Sequence, residues 1–298
     1  MPVAQKSLLA DCQKQLKLLE SDLKAQAEAL PDLDASLRAE WAAARAVHWV
    51  LGTVFVRFLE DVGLVDPVLA GEGDRGRLAE AAEQAFYATH PTLHERDWLL
   101  HVFRRVGGLP GGAALFDERH NPVFRWALSP DAAKALVRFW RRVDPATGAL
   151  AHDFADPAWE TRFLGDLYQD LSEGARKKYA LLQTPVFVEE FILDRTLGEA
   201  LQALPLPAVT VIDPTCGSGH FLLGAFARLL AAWEAREPGA PREALAQRAL
   251  DQVAGVDLNP FAVAIARFRL LVAALRACEV RRLERAPGFR LRVAVGDT

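Results

Sequence analysis

The sequence predicts an α/β protein in two parts: a mainly helical region over residues 1–158, followed by an open parallel sheet over residues 159–298. Two observations predict this class. Up to about residue 155 the sequence contains helical patterns and Gly/Pro loops, and no segment alternates clearly between apolar and polar residues. From residue 208 onwards, short apolar runs alternate with helical segments, which is typical of parallel strands joined by right-handed crossovers.

Composition indicates a globular cytoplasmic protein. The formal charge of −4 gives no global positive field that would point to nucleic acid, although a local patch is compatible with it. The three cysteines lie far apart, which excludes a disulfide framework and a four-cysteine zinc site and fits a reducing compartment. The N-terminus has no signal-peptide core, and the run that comes closest to a membrane span, residues 221–233, is interrupted by Arg228.

The helical region is predicted to begin with two long helices. Residues 4–30 carry leucines at seven-residue spacing and predict a helix or short coiled coil that ends at Pro31. Residues 36–60 become apolar on nearly every side, which predicts a buried helix. Further helices are predicted at 77–88 and 130–142, with loops at 71–76, 106–116 and 145–157.

The second region is predicted to begin with a helix at 159–171 and to continue with another that starts near Thr184. Thr184 is a candidate N-cap, with Pro185 at the first helical position and Glu189 and Glu190 in the early turns. The elements predicted after these are strands at 209–213, 252–257 and 290–295 and helices near 219–236 and 261–278.

The stretch DPTCGSGHF, residues 213–221, places an aspartate and a glycine loop at the end of the first predicted strand, where open α/β sheets bind ligands. A P-loop is set aside, because there is no Gly-Lys-Ser/Thr and no lysine between residues 179 and 298. A dinucleotide fingerprint matches at Gly217 and Gly219, but its third glycine would fall at Leu222. An acid beside a pyrophosphate would also be electrostatically unfavourable.

S-adenosylmethionine fits the acid better, because it has no phosphate and carries a positive sulfonium and an ammonium group. Asp213 can complement that charge, and Gly217 and Gly219 let the backbone come close. Asp257, at the end of the second strand, is placed to accept hydrogen bonds from the ribose hydroxyls, and Asp297, after the third, from the adenine amino group. A lone GxG is usually a turn and an acid after a strand often caps a helix, but three such strand ends together favour a cofactor site.

Other chemically notable side chains favour structural roles. Cys216 is expected to be a packing residue, since the adjacent His220 offers no histidine–carboxylate pair. The remaining histidines show no tight spacing, so no metal site is predicted. Arginines 267, 269, 276, 281, 282, 285, 290 and 292 form a positive stretch. It is interpreted either as a phosphate contact or, preferably, as a solvated helix end and strand edge.

At these motifs the chain resembles a known family. DPTCGSGHF resembles the cofactor loop of amino-group DNA methyltransferases, usually D-P-x-C-G-S-G-x-F, and QTPVFVEEFI (183–192) resembles the T-P segment of their adenine-modifying branch. GVDLNPFAVAIARFRL (255–270) and VAVGDT (293–298) resemble the next two motifs. The motif order is that of the branch with type I and type II restriction-modification enzymes. The surrounding sequence looks closest to the methyltransferases of type 2 BREX phage-exclusion systems, with FVRFLEDVGL (55–64) similar in the helical half.

The resemblance implies that residues 159–298 form the first half of a Rossmann-like S-adenosylmethionine-dependent methyltransferase domain. It implies methylation of adenine N6 at specific sites in double-stranded DNA, with the target base flipped out, and partners among other phage-defence proteins. In the family the T-P threonine helps to hold the methionine carboxylate, and Leu258 would lie beside the adenine. The implied cofactor-binding residues are Thr184, Asp213, Pro214, Thr215, Gly217, Ser218, Gly219, Asp257, Leu258 and Asp297.

One departure concerns the reaction itself. The family carries its chemistry on a later Asn/Asp-Pro-Pro-Tyr/Phe segment, and Asn121-Pro122 and Asn259-Pro260 both lack the second proline. No catalytic residue is therefore assigned. The chain is expected to be the front of a longer enzyme. On its own, the chain is expected to bind the cofactor weakly or not at all and to methylate nothing. A non-catalytic cofactor-binding scaffold and a methyltransferase acting on RNA or protein remain alternatives.

Overall fold

The structure is a computed structural model, and it describes residues 3–28, 34, 37–119, 121–156, 158–171 and 184–297. The chain divides into two compact units. The first comprises Met1–Phe163 and Asp170–Gly174, and the second comprises Leu164–Gln169 and Ala175–Thr298. The predicted division after residue 158 stays a prediction. The predicted helix end at Pro31 lies outside the described residues.

The first unit is helical throughout its described segments, apart from loops and one antiparallel bridge between Val143 and Leu150. This confirms the mainly helical N-terminal region. Its helices are α1 (Val3–Glu28), α2 (Arg38–Asp61), α3 (Asp74–Thr89), α4 (Glu95–Gly107), α5 (Ala113–Phe116) and α6 (Pro130–Trp140), with a 3-10 turn at Pro122–Phe124. Helix α7 (Arg162–Leu171) follows.

Helices α1 and α2 pack together and form much of the first unit's core. Leu16, Leu19 and Leu23 of α1 are all buried. In α2 every residue from Trp49 to Glu60 is buried, as the all-round apolar pattern predicts. Of the described helices, α2 alone is long and apolar enough to cross a membrane, and 78% of its most apolar window is buried inside the protein.

The predictions for the first unit were wrong in three places. Helix α4 was not predicted, although Glu95 and Asp97 lie in its first turn and Arg104 and Arg105 in its last, as the helix dipole favours. Asp97 also accepts a hydrogen bond from the backbone N–H of the N-cap residue His94. The predicted loop at 71–76 is shorter than expected, because α3 already begins at Asp74, and the predicted loop at 106–116 contains the end of α4 and all of α5.

The second unit contains a three-stranded parallel sheet, as predicted, and its strand order is β1-β2-β3. Asp213 is paired with Gly255, and Asp257 with Val295, so consecutive strands end at one edge. The strands are β1 (Val211–Asp213), β2 (Val253–Asp257) and β3 (Arg292–Val295). The helices are α8 (Val186–Leu193), α9 (Glu199–Ala203), α10 (His220–Arg236), α11 (Arg242–Asp251) and α12 (Pro260–Ala277). A π turn at Asp194–Gly198 joins α8 to α9.

Two local predictions in this unit were wrong. Thr184 is not the N-cap of α8: Pro185 occupies that position with φ −59° and ψ 145°, and the helix begins at Val186. An N-cap residue has extended rather than helical backbone, and the ψ of Pro185 is extended, so Val186 is the first helical residue. Helix α11 was not predicted, although Glu243 in its first turn and Arg248 in its last are favourable signals.

Candidate cofactor site

The glycine loop connects β1 to α10 and adopts a conformation that only glycine takes readily at two positions. Gly217 has φ +52° and Gly219 has φ +85°. A Cβ atom on Gly219 would lie 3.0 Å from the Cβ of Ala266 on α12, whereas one on Gly217 would meet no atom within 4 Å. Gly219 therefore allows the loop to pack against α12, and Gly217 faces open space in which a ligand could lie.

The backbone N–H groups of the loop are largely committed to the protein itself. Thr215 donates to Asp213 Oδ1 (3.2 Å), Cys216 to the Val256 carbonyl (3.0 Å) and Gly217 to Asp257 Oδ2 (2.8 Å). The Gly219 N–H donates to the Cys216 carbonyl at 2.9 Å. Loops that cradle phosphate use free N–H donors for the anion. Four loop N–H groups are already used within the protein, which differs from such a phosphate cradle.

Asp257 joins the loop to the end of β2. Its Oδ2 accepts from Gly217, and its Oδ1 accepts from the N–H of Asn259 at 2.8 Å. Each carboxylate oxygen retains further acceptor capacity, so the predicted hydrogen bonds to ribose hydroxyls are chemically compatible with these contacts. The structure thus brings together Asp257 and the glycine loop, as the motifs predict.

Asp213 lies at the end of β1 and is half-buried. Burial raises the pKa of its carboxyl group, and the negative charge of Asp257 raises it further, while the Thr215 N–H acts in the opposite direction. The nearby charge that acts on Asp213 is thus a second negative one. A cation bound between these strand ends would relieve that repulsion, so the site is electrostatically suited to a positively charged ligand.

Gly255, in the middle of β2, is a site residue that the motifs did not single out. A Cβ atom there would lie 2.6 Å from Leu222 Cδ1 and 3.1 Å from Cys216 Sγ. The loop and the start of α10 can approach β2 only because this side chain is absent. Cys216 is buried, and burial is the largest cause that raises the pKa of its thiol to about 12. An inert, buried thiol is consistent with the predicted packing role.

A cavity of about 510 Å³ borders β1 and the start of the loop. Asp213, Pro214 and Phe221 line one part of it, and Ile192 and Leu193 of α8 line another. Its lining is mostly apolar, with a carboxylate at one end, as is common for small-molecule sites. Leu258 follows Asp257 and is 57% exposed, so its apolar side chain is available to a ligand.

The other predicted residues lie near the ends of neighbouring elements. Thr184 is half-buried and lies two residues before α8. Helix α8 contacts α10: a Cβ atom on Gly224 of α10 would lie 2.5 Å from Glu189 Oε1 of α8. Asp297 is exposed two residues beyond β3, whose end is joined to β2 by the hydrogen bond from the Gly296 N–H to the Asp257 carbonyl. The cofactor contacts of both residues stay predictions.

The positive stretch divides into arginines with different roles. Arg269 is only 4% exposed and donates to the Ser218 carbonyl of the loop at 2.8 Å. Arg267 donates to the Val293 carbonyl of β3 at 2.7 and 2.9 Å. The interpretation as solvated surface was therefore wrong for Arg269, whose side chain is buried, whereas the interpretation as phosphate contact stays a prediction. Arg282 pairs with Glu284 and Arg290 with Asp251 on exposed surface.

Among the described residues, no group of three or more His, Cys, Asp or Glu side chains could hold a metal ion. The site that the structure assembles is therefore formed by two carboxylates, a glycine loop and an apolar flank.

This chain is similar to known proteins, both over the candidate site and over nearly its whole length. A family model described as the MmeI DNA-methyltransferase domain matches residues 195–287, which include the glycine loop and Asp257. The adenine-specific methyltransferase PglX of Streptomyces coelicolor is 47% identical over 327 aligned positions, covering 99% of this chain and 27% of that protein. The chain thus spans about a quarter of the length of the curated relative that it matches.

A solved structure of the type IIL restriction-modification enzyme MmeI in complex with DNA matches with a TM-score of 0.47 and 16% identity. The match covers 97% of this chain and 40% of that one. The sequence identity to PglX and the family model both agree with the resemblance carried by the motifs. The chain is a homologue, over almost all of its own length, of the adenine-specific methyltransferase PglX.

Proposed function

We propose that this chain is the cofactor-binding part of an adenine-N6 DNA methyltransferase and that S-adenosylmethionine binds at the glycine loop. The observation that carries the proposal is the pair of carboxylates, Asp213 and Asp257, at adjacent strand ends around a loop that opens at Gly217. The cofactor would supply a methyl group on a positive sulfur. The chain's own residues would bind it, complement its charge and fix its orientation.

The roles of the residues follow from their positions. Asp213 would face the positively charged methionine end, Asp257 would hold the ribose, and Leu258 would pack on the adenine. Thr184 and Asp297 would add contacts from the two flanking segments. These assignments complete a Rossmann-like half-domain in which the cofactor lies across the carboxyl edge of β1-β2-β3.

Support for the substrate comes from the relatives. The matching family model is described as a DNA-methyltransferase domain, and the curated relative is named as adenine-specific. We infer that the chain works on double-stranded DNA, in the cytoplasm, as part of a restriction-modification or BREX-type phage-defence system. The sequence contains no Asn/Asp-Pro-Pro-Tyr/Phe segment, so the residues that would contact the target base are not assigned to this chain.

A titration followed by NMR of backbone amides tests the cofactor assignment. S-adenosylmethionine is expected to bind with a dissociation constant of about 0.1–1 mM, or roughly −4 to −5.5 kcal/mol, and to shift the signals of residues 213–219 and 257–258. S-adenosylhomocysteine, which lacks the sulfonium charge, should bind more weakly. ATP should not shift the loop signals. Loop shifts with ATP, or none with millimolar S-adenosylmethionine, would contradict the proposal.

Substitution of Asp213 by asparagine separates the charge from the shape of the site. The variant is expected to bind S-adenosylmethionine about tenfold more weakly at pH 7, because it loses a charged interaction. In the unsubstituted protein, binding should weaken as the pH falls through the raised pKa of Asp213, above its ordinary value of 3.8. The variant should lack this pH dependence.

The same substitution has an opposite effect on stability. A carboxyl group with a raised folded-state pKa disfavours folding when it is ionised. Asp213→Asn should therefore be at least as stable as the unsubstituted protein at pH 7 in urea unfolding, and the difference should disappear as the pH falls and Asp213 protonates. Glu80→Gln, on the exposed surface of α3, is the matched control and should change neither property. Equal cofactor affinity in both variants would refute the charge role of Asp213.

A further inference from the structure

Arg269 is a buried cation that reaches the glycine loop from another element. It lies on α12 and is 4% exposed. Its Nη1 donates to the Ser218 carbonyl at 2.8 Å and to Ser218 Oγ at 3.3 Å, with His220 Nδ1 at 3.5 Å. Burying a guanidinium is unfavourable unless hydrogen bonds compensate it. For Arg269, two of the compensating hydrogen bonds go to Ser218, the middle residue of the Gly217–Gly219 loop.

Ser218 is the point at which the loop most needs an anchor. It lies between Gly217 and Gly219, which both adopt left-handed backbone conformations. Glycine populates many backbone conformations, so a Gly-Ser-Gly segment does not hold one geometry by itself. Fixing the Ser218 carbonyl fixes the orientation of the peptide group that leads into Gly219.

The loop is held from two sides by one continuous segment. Asp257, at the end of β2, accepts from the Gly217 N–H, and Arg269, on the helix that follows β2, donates to Ser218. Asn259 caps that helix by accepting from the N–H of Phe261 at 3.0 Å. The β2–α12 segment therefore sets both the entry and the middle of the loop. A planar, permanently charged side chain with several fixed donors suits this role.

We propose that Arg269 is a positioning residue for cofactor binding: through Ser218 it holds the Gly217–Gly219 loop in the conformation that opens towards the ligand. What the loop binds rests on the function proposed above. The positioning itself is a property of the chain without ligand and can be measured in its absence.

The test compares Arg269→Gln with Arg269→Lys and uses Arg267→Gln as the matched control. Arg267 also lies on α12 and also donates to a backbone carbonyl, but to that of Val293 in β3. The first readout is hydrogen exchange of the Gly217 and Gly219 amides, corrected for global stability measured by urea unfolding. The second is the affinity for S-adenosylmethionine from NMR titration.

Arg269→Gln is expected to speed exchange at both glycines about tenfold beyond any change in global stability, and to weaken the affinity for S-adenosylmethionine by a similar factor. Arg269→Lys should restore part of both, because an ammonium group can still donate to the Ser218 carbonyl. Arg267→Gln should leave the corrected loop exchange unchanged. If Arg269→Gln does not fold, Arg269→Lys alone should give the same effects at smaller size.

Equal loop exchange in Arg269→Gln and Arg267→Gln, or in Arg269→Lys and the unsubstituted protein when Arg269→Gln does not fold, would overturn the positioning role. So would a lysine variant no better than the glutamine variant. Faster loop exchange in a chain that never binds S-adenosylmethionine would instead count against the proposed function and leave the positioning role standing. The exchange measurement thus keeps the two failures apart.

Discussion

Replacing Arg57 by methionine is expected to lower the free energy of unfolding by about 3–5 kcal/mol. Arg57 is fully buried in α2. Its Nη1 donates to Glu60 Oε2 at 2.5 Å, and its Nη2 donates to both oxygens of Asp61 at 2.6 and 2.8 Å. Burial raises the pKa of Glu60 and of Asp61, and the Arg57 charge offsets part of that rise. Methionine would leave two buried carboxylates without their cation.

Urea unfolding at pH 7 measures this loss, and two further variants identify its cause. Arg77→Met removes an ion pair with Asp74 that is exposed on both sides, and should change stability by no more than about 0.5 kcal/mol. Adding Glu60→Gln to Arg57→Met should recover part of the loss, because one uncompensated charge is gone. The deficit should also shrink as the pH falls and the carboxylates protonate. A loss below about 1 kcal/mol would show that the buried network contributes little.

This network explains why the otherwise apolar stretch FVRFLEDVGL contains buried charged residues. Glu60 Oε1 also accepts from the N–H groups of Val68 and Leu69, at 2.6 and 2.7 Å. Arg57 donates in addition to the carbonyl of Ala70 at 2.5 Å. The charged residues of the stretch therefore tie the end of α2 to the loop that follows it. Their role in the described structure is to stabilise the helical unit.

Replacing Gly219 by alanine is expected to lower the free energy of unfolding by about 2–4 kcal/mol, from a left-handed backbone and an overpacked contact together. The residue has φ +85°, and the new Cβ would lie 3.0 Å from Ala266 Cβ and 3.2 Å from Ala266 Cα. The sheet holds α10, α12 and the loop in place, so the contact between residue 219 and Ala266 has little room to relax.

Gly217→Ala is the matched control for this loop. Its backbone is also left-handed, at φ +52°, but its Cβ would meet nothing within 4 Å. It should cost only about 1–2 kcal/mol in urea unfolding. The difference between the two variants measures the contact with Ala266, and a double variant with Ala266→Gly should show favourable coupling. Equal losses at both glycines would mean that the close approach to α12 is unimportant.

The two glycine variants should also differ in cofactor binding. A methyl group at Gly217 would occupy the open space beside the loop, so it should weaken S-adenosylmethionine binding more than its effect on stability explains. The sequence motif predicts that both glycines let a ligand approach the backbone. The structure adds a protein contact at Gly219 that the GxG pattern does not reveal.

Local patterns were sufficient for the elements that form the edge of the site. A short apolar run that ends in an acid and a small-residue loop predicts β1 and its turn, and a helix capped at Asn259 follows Asp257 in the same way. The parallel pairing of the three strands follows from alternating strands and helices, whereas their order β1-β2-β3 was found only in the structure. The N-cap of α8 was misplaced by a residue, because the helix signals at Thr184 and Pro185 allow two starts.

The contacts that shape the loop could not be derived from local patterns, because they join residues far apart in sequence. Gly217 and Asp257 are separated by 40 residues, and Ser218 and Arg269 by 51. An arginine on an amphipathic helix has the same local pattern whether it faces water or a neighbouring carbonyl. Likewise, a glycine in a strand does not disclose which side chain fills its space.

The strands, most of the helices and the charge of the strand ends thus follow from the amino-acid sequence, since periodicity and turn chemistry act between near neighbours, although α4 and α11 were not predicted. Only the tertiary structure shows the hydrogen bonds made by the loop N–H groups, the burial of Arg269 and the close contacts at Gly219 and Gly255. Burial and hydrogen-bond partnership are set by whichever distant segments the fold brings within a few ångströms, and those distances have no counterpart along the chain.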